Sequence, residues 1–271
     1  MNNDEKMNYI LLTANDIFKV LNIEFKITYV DTNIYFLIYA YVYPNTTNKC
    51  IICFHVFLTL NDKHIYLDAL EKCPPENNGT DILLKIIDLG RILQVKYIEL
   101  EDSSFFNIGN NSYLIAPLEI LTTGKSWYNK YGFESSEIKD EIIQNDSISK
   151  MSFKNVLDNI LEGKNIYEEF SENFPDIINR DEDKTIKDVL TEVKNRYLNK
   201  NDSEKLTQEQ KDVLDNLLVY LNSIIYYNTN LKLKFNYNSV GGYKRRQKTT
   251  RKKIKKTTRK KNQKNNKEKN L

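Results

Sequence analysis

Between Ile23 and Leu70 the apolar and aromatic residues come in strand-length runs broken by polar turns. Ile23–Val30, Ile34–Tyr43, Cys50–Leu60 and His64–Leu70 are rich in Ile, Tyr, Phe, Val and Thr, side chains that fit a pleated, half-buried surface. Asp31-Thr32-Asn33, Pro44-Asn45-Thr46 and Asn61-Asp62 separate them, and connections this short favour antiparallel hairpins. Ahead of them, Ala14–Leu21 predicts a short helix capped by Thr13 or Asn15. After the loop Pro74–Asp81 the period lengthens. Ile82, Leu83, Ile86, Ile87, Leu89 and Leu93 share one helical face, with Thr80 or Asp81 as cap. A strand follows at Val95–Leu100, Tyr113–Leu121 fits either strand or helix, and Ser126–Tyr131 reads as a short helix.

That order predicts an α+β fold: a mixed, mostly antiparallel central sheet flanked by helices, with one parallel insertion. Beyond Phe133 the spacing is mainly helical, over Phe153–Leu161, Thr185–Leu198 and Thr207–Tyr227, and Leu231–Tyr237 alternates as a final strand would. Gly241-Gly242 then opens a segment of different character. The expected organisation is a domain over 1–136, a helical extension over 137–240 and a tail over 241–271.

Charge sharpens that division. The 271 residues carry a formal charge of +3, but Lys244–Leu271 holds 15 Lys/Arg against the single acid Glu268, or +14. The remaining residues hold 25 basic and 36 acidic side chains, or −11. The tail has almost no apolar residues, so disorder is expected, and its charges suit a polyanion or nucleic acid bound by counterion release. It is similar in composition to basic carboxy-terminal tails on proteins of large DNA viruses, which implies an association with virions. No apolar run approaches the roughly 20 residues of a membrane span. The first residues lack a basic stretch followed by an apolar one, and Cys50, Cys53 and Cys73 form no disulfide framework. An intracellular site, cytoplasm or nucleus, is expected.

Chemistry concentrates in two stretches. Asn78-Gly79-Thr80-Asp81-Ile82 stands at a strand–loop–helix junction, where backbone N–H groups and the helix dipole favour an anion and Gly79 permits close approach. Ser126-Trp127-Tyr128-Asn129-Lys130-Tyr131-Gly132-Phe133 couples a tyrosine to a helix-ending glycine. Together these resemble the GCN5-related N-acetyltransferases over roughly Ile23–Phe133. The resemblance implies acetyl-CoA as co-substrate and an amine acceptor. It further implies a pyrophosphate cradle at Asn78, Gly79, Thr80, Asp81 and Ile82, and Tyr128 as the acid that protonates the leaving thiolate. Glu76 and Asp81 depart from the family's usual loop. Within such a site Ser126 is a further donor to the cofactor or a plain helix cap. Asp68, at the end of the strand entering the loop, is the first choice of general base, with Glu101 or Asp102 second. The rival expectation is a non-catalytic relative of that fold, a binding or virion-associated module whose tail holds nucleic acid.

Two other constellations fall short. Thr123-Gly124-Lys125-Ser126 resembles the end of a phosphate-binding P-loop, but Glu119 stands where that loop needs Gly. Cys50-Ile51-Ile52-Cys53, with His55, His64 and Cys73, invites a zinc reading, but a strand would point Cys50 and Cys53 to opposite faces and a second ligand pair is missing, so the thiols are expected to be buried in the sheet. Neither histidine has a Ser or Cys nucleophile motif to serve.

Overall fold

A computed structural model describes residues 2–21, 23–30, 35–42, 51–59, 61–71, 79–108, 111–158, 160–161, 163–178, 183–198 and 206–237. Asn78 and the basic tail lie outside them. The chain forms two units, Met1–Lys234 and Phe235–Leu271.

Within the first unit, β1 (Glu24–Val30), β2 (Tyr35–Val42), β3 (Ile51–Thr59), β4 (His64–Leu70), β5 (Tyr97–Glu101) and β10 (Asn230–Lys234) form one sheet in that order. All neighbours are antiparallel except β4 and β5. A parallel pair needs a crossover, and α2 (Gly79–Ile92) supplies it. The α+β class and the mostly antiparallel mixed sheet agree with the reading of the sequence. Among the described residues no helix is long and apolar enough to cross a membrane.

Alternation gives the sheet two unlike faces. Phe36, Ile38, Ala40, Phe54, Val56, Leu58, Ile65, Leu67, Ile98 and Leu100 are buried on one, against α1 (Asn3–Phe18) and α2. The other face presents half-buried Tyr35, Tyr39, His55, Phe57, Tyr66 and Tyr97. Helix α1 begins eleven residues before the expected start at Ala14. Asn2 and Glu5 form a reciprocal capping box that satisfies two otherwise unpaired N–H groups. Ile10, Ala14 and Phe18, four apart, form its buried stripe, and Phe18 meets the rings of Phe25 and Phe54 at 5.3 and 5.1 Å.

The short strands β6 (Phe105–Ile108) and β7 (Asn111–Leu114) form a hairpin leading into α3 (Ile115–Thr123), so the ambiguous stretch holds a strand end and then a helix. A helical half follows: α4 (Ile138–Ser149), α5 (Phe153–Leu157), the two-residue strands β8 (Ile160–Leu161) and β9 (Lys164–Asn165), α6 (Ile166–Asn173), α7 (Ile186–Arg196) and α8 (Gln208–Ile224). Its apolar core runs from Tyr113, Leu118 and Leu121 through Phe153, Phe170 and Phe174 to Leu217 and Leu221. Residue 136 does not divide the first unit, because β10, from beyond the helices, returns to the sheet beside β5. Burial of Ile82, Leu83, Ile86, Ile87 and Leu89 on α2 follows the predicted face.

Cys53 is fully buried in β3, as expected, but it is disulfide-bonded, with its partner outside the described residues. This corrects the expectation of free thiols. Spacing in sequence says little about which strands and loops come within bonding distance.

Candidate functional site

The parallel pair ends abruptly. Its register runs from His64↔Tyr97 to Leu67↔Leu100 and no further, although β4 continues to Leu70. In the β3–β4 ladder Val56 faces Leu67 while His55 faces Ala69, so Asp68 is the extra residue of a β-bulge. A bulge interrupts pairing and re-aims side chains. β4 therefore parts from β5 at Asp68, and crevices outside the carboxyl ends of parallel strands are where open α/β sheets take ligands.

Three groups of residues surround this end. The first is the start of α2. Four unpaired N–H groups and the helix dipole make it positive, and it begins with Gly79, Thr80, Asp81 and buried Ile82. A Cβ at Gly79 would touch the Trp127 ring, 3.7 Å away, and the hydroxyls of Thr80 and Tyr131 are 3.1 Å apart. Asp81 is exposed. The resemblance thus joined two stretches that are fifty residues apart in the chain but adjacent in space.

The second is the short 3-10 helix Tyr128–Tyr131, ended by Gly132 in the left-handed conformation (φ 90°, ψ 12°). Tyr128 is only 7% exposed and lies edge-on to Trp127 and Phe133. Burial, with the negative charge of Asp102 added, pushes its pKa up to about 12, against a smaller pull down from a Ser104 hydrogen bond. Ser126 is fully buried. Its N–H donates to Asn129 Oδ1 at 2.9 Å and its hydroxyl bonds to Tyr227.

The third group was not legible as a group beforehand. Asp102, just past β5, is 2% exposed. One oxygen accepts from Ser104 N–H at 3.2 Å and the other from the Tyr227 hydroxyl. Burial and that carboxylate raise the pKa of Tyr227 strongly. Helix α4 holds the segment carrying Tyr227. Asn145 makes two hydrogen bonds with Tyr226, at 2.6 and 2.9 Å, and Glu141 accepts from Asn228 N–H at 3.1 Å and from the Ser135 hydroxyl at 2.6 Å. Asn145 and Glu141, four apart in the chain, share one helix face; an apolar-periodicity reading passes over that face.

Asp68 stands apart from these groups. Tyr128 and Asp102 belong to the side where α2 packs, whereas Asp68 projects from the opposite face, where its carboxylate meets His55 Nδ1 at 2.9 Å. Tyr66 is close by, and burial together with the charges of Asp68, Glu101 and Glu99 raises its pKa.

The P-loop reading ends at Gly124, which is the left-handed cap of α3 (φ 78°, ψ 4°). Glu119 is a buried carboxylate bound to both Lys130 and Lys194. Burial alone would raise its pKa, but the two ammonium groups outweigh that and lower it. Among the described residues no cluster of His, Cys, Asp or Glu could hold a metal. No family model matches the chain, and no curated protein or solved structure does.

Proposed function

We propose that the protein transfers an acetyl group from acetyl-CoA to an amine, through a domain similar to the GCN5-related N-acetyltransferases. The observation that carries this reading is one of position. A helix amino terminus, a break in the sheet and a buried, protonated tyrosine meet at the carboxyl end of the one parallel strand pair. In this reading the backbone of Gly79, Thr80, Asp81 and Ile82 receives the pyrophosphate, and exposed Asp81 turns away from it. Asn78 would complete the cradle. The thioester lies where β4 and β5 part.

Tyr128 then faces the departing sulfur. Ser104 is hydrogen-bonded to the phenol oxygen and pulls its pKa down slightly, and the proton at issue is the phenol's own. A pKa of about 12 keeps that proton in place at neutral pH but makes its full transfer costlier than from a free phenol. Its larger contribution is therefore a hydrogen bond to the developing thiolate. Ser126, enclosed with Asn129 and Tyr227, supports this wall rather than the cofactor. On the open face Asp68 and Glu101 supply the negative field that draws an ammonium, Glu99 being paired with Lys232 at 3.0 Å, and Asp68 is the group that deprotonates it.

The direct test is calorimetry of the whole chain with acetyl-CoA. Binding in the micromolar range is expected, weakened at least about tenfold by Gly79→Pro, because proline is accepted at a first helical position while removing one cradle N–H. No binding at millimolar cofactor would refute the reading.

The +14 charge of residues 244–271 supports a second contact, with nucleic acid or another polyanion, in an active enzyme or in a non-catalytic module. That contact should weaken steeply with salt and vanish when 244–271 is deleted.

A further inference from the structure

The structure leaves few buried polar side-chain atoms without a partner. Among the described residues they are His55 Nε2 and His64 Nδ1. For His55 the other ring nitrogen has a close polar neighbour. Nδ1 lies 2.9 Å from Asp68 Oδ2, and a carboxylate oxygen can only accept there, so Nδ1 carries the proton. The contact therefore calls for a proton on Nδ1 of His55. Its ring is stacked on Tyr39, with centroids 4.5 Å apart and planes 8° from parallel, and Phe57 closes another side at 4.8 Å. The side chain is 17% exposed while that of Asp68 is 44% exposed. A clamped ring stands behind a carboxylate that reaches solvent.

Asp68 needs such a clamp. As the extra residue of the bulge it sits where the ladder is irregular, and beyond Leu67 no pairing with β5 steadies the strand. Among the described residues its Oδ1 has no partner.

We propose that His55 is the positioning residue for Asp68. It holds Oδ2 through Nδ1–H, so that Oδ1 is aimed at the acceptor in the gap between β4 and β5. This rests on the acetyltransferase reading above. The acceptor's ammonium N–H bond breaks, its proton passes to Oδ1, and the freed amine lone pair forms the bond to the acetyl carbon. As the carbon–sulfur bond breaks, the second proton of the now cationic nitrogen passes to the departing thiolate, leaving the neutral amide and the free thiol. His55 neither gains nor loses a proton in that step.

Two measurements on the full chain test the proposal. Nitrogen-15 NMR of the histidine rings is simple in a protein with two histidines. His55 should carry its proton on Nδ1 near neutral pH, and Asp68→Ala should shift the population toward Nε2–H. A wild-type His55 protonated on Nε2 would overturn the assignment without any reference to activity. In the second, acetyl transfer to lysine methylamide is followed by thiol release. His55→Leu should lower kcat on the order of a hundredfold, the scale of a misplaced catalytic group, with KM for acetyl-CoA unchanged. His55→Asn, whose side-chain amide offers a donor near the Nδ1 position, should restore most of that loss. Equal losses in both variants would overturn the positioning role. A wild-type protein that binds and transfers nothing would refute the acetyltransferase reading and the proton step with it, while the NMR result would still decide whether the pair exists.

Discussion

The helical half and the sheet half solve the same folding problem to different standards. In the helical half every buried side-chain nitrogen or oxygen among the described residues has a partner, since the two exceptions are both in the sheet. Ser152, Asn165, Thr185 and Thr207 each accept from a backbone N–H at a helix start. The sheet half carries a buried carboxylate at Asp102, two tyrosines whose pKa values it helps to raise, and two incompletely satisfied histidines. Natural folds depart from internal consistency mainly at functional sites. In the sheet half His55 and Asp102 depart from it at the carboxyl end of β4 and β5, whereas His64 does so at the start of β4.

Mutations should separate the halves. The largest effect is expected from Phe170→Ala, which opens a cavity between Phe153 and Phe174, whose ring centroids lie 5.1 and 4.8 Å from that of Phe170. A loss of about 3–5 kcal/mol in urea unfolding is expected, with acetyl-CoA affinity retained by the fraction that stays folded. Loss of affinity in that fraction would show that the halves are not separable.

Gly132→Ala acts at the seam. Its φ of +90° is strained for any Cβ, and the added atom would press on Leu233 at 3.4 Å. A cost of about 1–2 kcal/mol is expected. If the seam carries the site, cofactor binding should fall as well, because the same turn holds Trp127 against Gly79.

Alkaline pH probes the sheet half through Tyr128, while in the helical half burial and the Asp176 carboxylate push Tyr197 up to about 12 as well. Tyr128 is pushed up to about 12 from an ordinary value of 10, by burial first and by Asp102 second. A raised folded pKa means a contribution to stability that is complete below pH 10 and disappears as pH rises through about 12. Tyr128→Phe should lack that part of the alkaline loss, and Asp102→Asn should move tyrosine ionisation to lower pH in ultraviolet titration. Identical alkaline profiles for wild type and Tyr128→Phe would contradict the buried, charge-flanked phenol.

The smallest effect expected is from Thr207→Ala, which removes the capping box with Gln210 at the start of α8. About 1 kcal/mol of stability should be lost, with no change in cofactor affinity.

Local pattern carried much of the sheet. The edges of β1 to β4 fall within a residue or so of the aromatic runs, because alternation and turn residues act over a few positions. Helix α1 was read short because its capping box lies among polar residues ahead of the apolar stripe. Helix α4 was not read, since its buried positions include Glu141, Asn145 and Ser149, and the partners of Glu141 and Asn145 lie in the segment Tyr226–Asn228 far along the chain.

The candidate site divides along the same line. Gly79, Thr80, Tyr128 and Gly132 were legible because their roles depend on local backbone form: a helix start, a left-handed stop. The sequence by itself determined the strands, the α2 face, the turn at Gly132 and the opposite charges of body and tail, all properties of neighbouring residues. Only the tertiary structure decided that β10 returns beside β5, that Asp102 is buried against Tyr227, that Asp68 is a bulge residue 2.9 Å from His55 Nδ1, and that Glu119 is gripped by two lysines. Each of these depends on contacts between residues that are remote in the chain, and in each the energetic outcome of burying a charge is set by the partner that folding brings to it.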